Sequence, residues 1–281
     1  MTKRNPRPYD VSAVVCTQNS ITSIRDCLNS LRDSGVGEIV VVDAASTDGT
    51  REVADGLATL VLEDDGSGLG QARNMGIAAS SKDFILNMGS DNVMPPSQLQ
   101  RMLDWLVRTN AAGVSACTTV TGSNYVTYGL NVWRSGRFMP GPAVVIGTPT
   151  LFEGDLLRTF PYDDRRKFSD DSELCERWAR DLGAKFEVSD ARVDECGKST
   201  WAAVKARCKM YGESDAEVWR NGVRDGWPPV RRLKSALHPL NVDFLAPLRR
   251  QKISGVIRSL PFLTTFVALR YLFWLGAMVK N

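Results

Sequence analysis

Four short apolar runs mark the first ninety residues, and each stops at a polar turn. "VSAVVC" (11–16) and "EIVVVD" (38–43) are near-continuous apolar runs, the pattern of strands covered on both faces. "TLVLE" (59–63) and "FILNM" (84–88) read as two further strands. Between the first two, Ile21, Ile24, Leu28 and Leu31 recur at helical spacing until Gly35 and Gly37 end the segment. Helices are also expected from about Thr50 and Gln71. Alternating strands and helices imply right-handed crossovers, hence an α/β fold with a mostly parallel central sheet flanked by helices. Such sheets bind ligands beyond the carboxyl ends of their strands. Thr17–Asn19, Asp43–Asp48 and Gly89–Asn92 all fall at that edge.

Downstream the pattern loosens. "PSQLQRMLDWLVRT" (96–109) is an amphipathic helix and "AGVSACTTVTG" (112–122) a strand, whereas 122–148 are rich in Gly, Tyr, Trp and Pro and read as loop. "SDDSELCERWARDLG" (169–183) is a helix with Gly183 as its stop, and another is expected over Trp201 to Tyr211. Composition shifts at "DGWPPVRR", which places a boundary near Gly226, between a body (1–226) and a tail (227–281). Within the tail, "SLPFLTTFVALRYLFWLGAMV" (259–279) is long and apolar but carries Arg270 near its middle. A centred arginine costs about 2.5–3.5 kcal/mol on insertion scales, so a single clean membrane span is not the expectation.

Charge sharpens this division. The 281 residues carry a formal net charge of +3 from 35 Lys/Arg and 32 Asp/Glu. The tail holds nine of the basic residues and one acid, Asp243, which leaves the body at −5. An acidic body argues against nucleic acid as a partner, and a basic, aromatic tail suits helices lying on an anionic membrane surface. Packing of the tail on the body or on a second subunit, in a homo-oligomer, is the competing expectation. The six cysteines show no C-x-x-C pair or zinc spacing, as expected of reduced thiols. The N-terminal "MTKRNPRPYDV" has no apolar run behind its basic residues, so no cleaved signal peptide is expected. These features together suggest a cytoplasmic protein, peripheral at the inner face of the cell membrane.

The polar turns resemble a known family. "VVCTQN", "IVVVDAASTDGT", "GLGQARNMGIAAS", "ILNMGSDN" and "FSDDSELCERWARDLGAKF" follow in the order used by inverting family-2 glycosyltransferases of the GT-A fold. The resemblance covers roughly residues 11 to 190. It implies a catalytic domain over 1–226 that moves a sugar from a nucleotide-diphospho-sugar, UDP-linked for preference, to a hydroxyl on a glycan or lipid-linked acceptor. It implies donor contacts from Thr17, Asn19, Asp43, Arg73, Ser90 and Asp91. Asp43 would meet the nucleobase, since a carboxylate accepts a ring N–H of uracil; a second acid common in the family is Ala44 here. The forked cation of Arg73 suits an anion. Where the family carries D-x-D, this chain has Gly89-Ser90-Asp91, leaving Asp91 as the expected acid for Mg²⁺ or Mn²⁺ at the diphosphate. Asp170 and Asp171 match the acidic pair whose second member is the general base, here Asp171; Glu173 and Arg177 would form an i,i+4 pair.

Departures from the family pattern keep other readings open. "ARVDECGKS" (191–199) lies where many relatives have a histidine, and Asp194 or Glu195 could stand in as an oxygen ligand. Tyr128 or Trp133 could stack on an acceptor or pack in the core. "GSGLG" (66–70) has the wrong spacing and the wrong strand for a dinucleotide fingerprint. A non-catalytic nucleotide-sugar-binding or membrane-scaffold relative remains the alternative. A nucleotidyltransferase would want a glycine- and basic-rich loop where this chain has "CTQNS".

Overall fold

The computed structural model describes residues 5–66, 68–164 and 170–279. The opening Phe168 and Ser169 of the acidic-pair motif lie outside them. The chain divides into two compact units, Met1–Thr119 with Met139–Gly197, and Val120–Phe138 with Lys198–Asn281.

The first unit is built on a sheet. Its leading elements are β1 (Val11–Thr17), α1 (Ile24–Asp33), β2 (Glu38–Asp43), α2 (Thr50–Asp55), β3 (Leu60–Glu63), α3 (Leu69–Ala79), β4 (Phe84–Gly89), β5 (Asn92–Val93) and α4 (Gln98–Thr109). The strand order begins β3-β2-β1-β4 with every pairing parallel. The register sets Thr17 beside Asp43 and Cys16 beside Gly89, so the three expected turns share one edge. β6 (Gly113–Val120) follows, and after α5 (Tyr125–Arg137), which belongs to the second unit, come β7 (Gly141–Ala143), β8 (Thr150–Glu153), α6 (Gly154–Thr159), α7 (Asp170–Leu182) and β9 (Phe186–Glu195). These strands extend the sheet through antiparallel pairs: β8 with β4 and β6, and β9 with β5 and β7.

Alternation along the strands fills both faces. Val11, Ala13 and Val15 of β1 pack with α1 and α4 through Leu28, Leu31, Met102 and Leu103. Val14 points the other way, toward Ile77 of α3 and Leu174 and Trp178 of α7. Close approach on this second face needs a glycine. A Cβ on Gly76 of α3 would sit 2.4 Å from the Val14 side chain, so its absence lets α3 lie tight on β1 and fixes where Arg73, one turn earlier, emerges.

The second unit is helical: α5, α8 (Trp201–Arg224), α9 (Pro229–Ala236), α10 (Ala246–Arg249) and α11 (Ile253–Val279). Asn124 and Thr200 cap α5 and α8 by accepting the N–H of Thr127 and Ala203. The core joins Leu130 and Trp133 of α5, Val204 and Cys208 of α8, and Phe262, Leu263 and Phe266 of α11. The loop-like reading of 122–148 is therefore corrected in part. α5 is a helix whose Gly129 makes room for the Phe262 ring, 2.1 Å from where a Cβ would stand. Trp133 is buried and donates to Asp243 at 2.8 Å, a core residue and not a free stacking platform.

Helices α8 to α11 form one packed body with α5, so no unit boundary falls at Gly226. The residue behind that packing is Arg270. Its guanidinium makes two bonds to Asp215 (2.6 and 2.7 Å) and one to Asp243, which is fully buried. The arginine that interrupts the apolar run is thus an interior ion-pair centre.

Candidate active site

Beyond the carboxyl ends of β1 and β2 the loops are stitched together by side chains. Asn19 sits in the left-handed region at φ 47°, which asparagine tolerates; its N–H donates to the Ser46 hydroxyl (2.8 Å) and its Oδ1 accepts from the Thr47 N–H (3.0 Å). Asp43 is fully buried and accepts from the Ser46 N–H (3.1 Å) and hydroxyl (2.5 Å). Asp43 and Asn19 therefore build these turns before they meet any ligand. Thr17 is buried, and its hydroxyl has no partner among the described residues. Asp64, absent from the residues expected at the site, follows β3 directly. Its N–H donates to the Asp43 carbonyl (2.9 Å), its carboxylate is buried at the same edge, and burial raises its pKa.

Arg73 organises the second cluster. It is buried, and one guanidinium nitrogen donates to both Asp170 (2.5 Å) and Asp171 (2.8 Å) while the other donates to Thr148 Oγ1 (2.6 Å). Its Cζ lies 5.1 Å from the centre of the Tyr162 ring. The acids open α7, where the helix dipole favours negative charge. Arg73 thus reaches the acid pair in this structure, a contact the sequence reading did not foresee.

Tyr162 ties the cluster to the sheet. Its hydroxyl accepts from Asn87 of β4 (3.1 Å) and donates to Asp171 Oδ1 (3.4 Å). Asn74 pins its backbone from both sides, donating to the carbonyl (2.8 Å) and accepting from the N–H (3.0 Å). Arg177 and Trp178 of α7 donate to the neighbouring Pro161 and Phe160 carbonyls, and Arg177 also pairs with Glu173 (2.8 Å) as the spacing predicted. A buried, hydrogen-bonded set of this kind holds one geometry.

The electrostatics separate the two acids. The Asp171 side chain keeps 23% of its accessible surface against 10% for Asp170. Among the described residues, the contacts to Asp171 from Arg73 and Tyr162 both fall on Oδ1 and leave Oδ2 to other partners. Burial pushes the Asp171 carboxyl up to about 6; Asp170 adds to the rise and Arg73 opposes it. Burial and the two acids' charges act in opposite directions on Arg73, and the acids win, keeping it protonated. The Cys16 thiol at the end of β1, pushed up to about 12 chiefly by burial, is also influenced by Arg73, Asp170 and Asp64. The cluster therefore lies at the same edge as Asp43. Removing the Tyr162 hydroxyl takes a donor from Asp171, so Tyr162→Phe should shift the acidic limb of a rate–pH profile to higher pH. A slower enzyme with an unmoved limb would mean that Tyr162 only packs.

Asp91 stands past β4. Its carbonyl accepts from the Cys196 N–H (2.8 Å), and Asn92 and Glu195 are cross-strand neighbours, so "ARVDECGKS" does run beside it. Ser90 meets Ser20 hydroxyl to hydroxyl at 3.0 Å. A Cβ at Gly89 would sit 2.9 Å from both Asp91 Oδ1 and Asn92 Oδ1. The missing first acid is thus coupled to the position of the second, because the Asp91 carboxylate folds over the bare Gly89. Gly89→Asp should therefore lower nucleotide affinity, as the new side chain displaces Asp91; titration with nucleoside diphosphate and Mn²⁺ checks this, and a gain would contradict it.

No three His, Cys, Asp or Glu side chains among the described residues converge on a metal position. The donor set fits a divalent cation only as a shared ion, with Asp91 and phosphate oxygens of a bound nucleotide as ligands.

A parallel βαβ sheet with acidic turns at its carboxyl edge, extended by antiparallel strands, defines a GT-A-type α/β protein. The profile of glycosyl transferase family 2 matches residues 12–164, more than half of the chain, and the chain belongs to that family. Asp170 and Asp171 lie just beyond the matched segment.

Among curated relatives, the chain is similar to glycosyltransferase AglJ of Haloferax volcanii (32% identity over 100 residues, 35% of this chain and 33% of the relative). It is also similar to the putative glycosyltransferase EpsH of Bacillus subtilis (35% identity over 100 residues, 33% and 29%). A third relative is the succinoglycan biosynthesis protein ExoO of Rhizobium meliloti (37% over 110 residues, 37% and 31%). The chain thus aligns with about a third of the length of these relatives.

Among solved structures, the mannosyltransferase PcManGT of Pyrobaculum calidifontis, in complex with GDP-Man and Mn²⁺, superposes with TM-score 0.62 at 20% identity, covering 99% of this chain and 89% of that one. S. aureus TarS 1–349 with UDP-GlcNAc gives 0.56 at 15% identity, covering 96% and 90%. Likeness at these identities shows the fold.

Proposed function

We propose that the chain is an inverting glycosyltransferase that takes a UDP-linked sugar and transfers it to a hydroxyl on a growing glycan or lipid-linked acceptor. The observation that carries this reading is Asp171: an acid with a raised pKa, held through Oδ1 by Arg73 and Tyr162 with Oδ2 uncontacted among the described residues, at the sheet edge where α/β proteins bind ligands. In this reading the acceptor oxygen attacks the anomeric carbon as its bond to the diphosphate oxygen breaks. The hydroxyl proton passes to Asp171 Oδ2, and the electron pair leaves with the nucleoside diphosphate. Attack from the face opposite the leaving group inverts the anomeric centre.

Asp171 must be ionised to accept the proton, so activity should rise with pH through about 6. Thr148 and Asp170 hold Arg73, which holds Asp171; these are positioning roles. Asp43, with Asp64 beside it, Thr17, Asn19 and Ser90 would border the nucleoside. A divalent cation on Asp91 would offset the charge that develops on the diphosphate. Proton NMR of the product from a donor of known configuration tests the stereochemistry; retention would overturn the inverting assignment. Mn²⁺ binding should be weak alone and tighten with UDP present, because Asp91 supplies only part of the coordination. The second reading, a binding protein without turnover, draws on Gly89 and the absent histidine.

A further inference from the structure

The long helix of the second unit has its polarity reversed. Between Ser259 and Val279 the only charged residue is Arg270, and it faces inward to Asp215 and Asp243. The outward stripe, at helical spacing, is Ile253, Ile257, Leu260, Leu272, Leu275 and Val279, with Ile257 and Leu272 exposed by 70% and 62%. Thr264 and Ala268 continue it between Leu260 and Leu272. At 27 residues the helix is about 40 Å long. A continuous uncharged strip of that length is more than scattered surface apolar residues explain. Nearby, α9 repeats the theme, exposing Val230, Leu233 and Leu237 next to Arg231 and Lys234.

The exposed charge of the segment after Gly226, which carries the stripe, has one sign among the described residues. Arg231, Lys234, Arg249, Arg250, Lys252 and Arg258 are exposed, whereas the single acid after Gly226, Asp243, is fully buried. Two copies meeting through this face would bring basic clusters together, while an anionic lipid surface would complement them.

A transmembrane orientation conflicts with the packing of α8. That helix runs beside α11 in the same direction. The Cys208 thiol meets the Phe266 carbonyl (3.4 Å), a Cβ on Gly212 would lie 2.5 Å from the Arg270 carbonyl, and Arg220 donates to the Ala277 carbonyl (2.9 Å). If α11 crossed the bilayer, α8 would carry Lys205, Lys209 and Glu213 into hydrocarbon, and none of these is buried.

We infer that α11 lies in the plane of an anionic membrane, with its outer stripe immersed among the acyl chains and the basic residues of α9, α10 and the α11 start at the headgroups. The test uses the full chain with vesicles of phosphatidylcholine containing 30% phosphatidylglycerol, and with phosphatidylcholine alone. The wild type should sediment with the anionic vesicles, lose binding in high salt and be released by alkaline carbonate. The double variant Leu272→Glu/Leu275→Glu, altered only at exposed positions, should bind at least tenfold more weakly. Equal binding by that variant, or failure of the wild type to bind, would overturn the inference. So would resistance to carbonate, the mark of a span, or a wild-type dimer that the two substitutions dissociate while vesicle binding is unchanged. Nucleoside diphosphate release by the variant in solution should equal wild type, which separates this test from that of the proposed reaction.

Discussion

Asp171→Asn should lower the transfer rate by about 10²–10⁴-fold, the usual contribution of a positioned general base, with donor affinity retained. The replacement keeps the shape and leaves an acceptor oxygen for the Arg73 and Tyr162 contacts, but it cannot take the acceptor's proton. Stability should move the other way. In the folded protein the Asp171 carboxyl titrates above the ordinary carboxylate range because burial disfavours the charged form. That contribution favours the fold below the unfolded pKa and is lost as pH rises through about 6, so above pH 7 the native protein carries a destabilising charge. Asn is neutral at every pH, and the variant should melt no lower than wild type at pH 8. Retained turnover would remove Asp171 from the mechanism. Lost turnover with a large drop in melting temperature would make it structural.

Arg270→Met should cost about 3–5 kcal/mol of unfolding free energy, the range for breaking a buried ion pair by removing one partner. Asp243 would be left fully buried, with Trp133 at 2.8 Å and Arg137 at 3.3 Å as its remaining partners; Asp215 would lose both bonds to Arg270. Adding Asp243→Asn should recover part of the loss, because the stranded charge is gone. Urea denaturation of the wild type and both variants measures this. A change below about 1 kcal/mol, typical of exposed pairs, would contradict the interior placement of Arg270.

Legibility of the sequence followed the physics of each segment. β1, β2, β4, α1, α4 and α7 were readable because their partners lie on both faces of one sheet, and that burial writes apolar runs and helical periods. α5 was not, because its glycine marks contact with a helix far downstream, and local composition cannot distinguish that from a turn. The tail was readable in composition and misleading in architecture: Arg270 looked like an obstacle in an apolar run, whereas Asp215 and Asp243 stabilise it from distant positions. At the site, Asp43, Arg73, Asp91 and Asp171 stand out as polar residues at strand ends or helix starts. Tyr162 and Thr148 lie in irregular segments where nothing periodic marks them, and only the fold brings them to Arg73. Asp64 had a signal, an acid directly after a strand, that went unread.

The missing first acid before Asp91 also looks different in three dimensions. Gly89 is the space into which the Asp91 carboxylate turns, so sequence absence and structural accommodation belong together.

The most direct measurement of the central claim is turnover across a panel of nucleotide-sugars. Purified chain is incubated with UDP- and GDP-linked donors, with and without Mn²⁺, alongside membrane extract as acceptor, and free nucleoside diphosphate is quantified for wild type and Asp171→Asn. The account predicts release from a UDP-linked donor that depends on Mn²⁺ or Mg²⁺ and on Asp171. Donor binding without release across the whole panel, with acceptor present, would contradict it and leave a nucleotide-sugar-binding protein in its place.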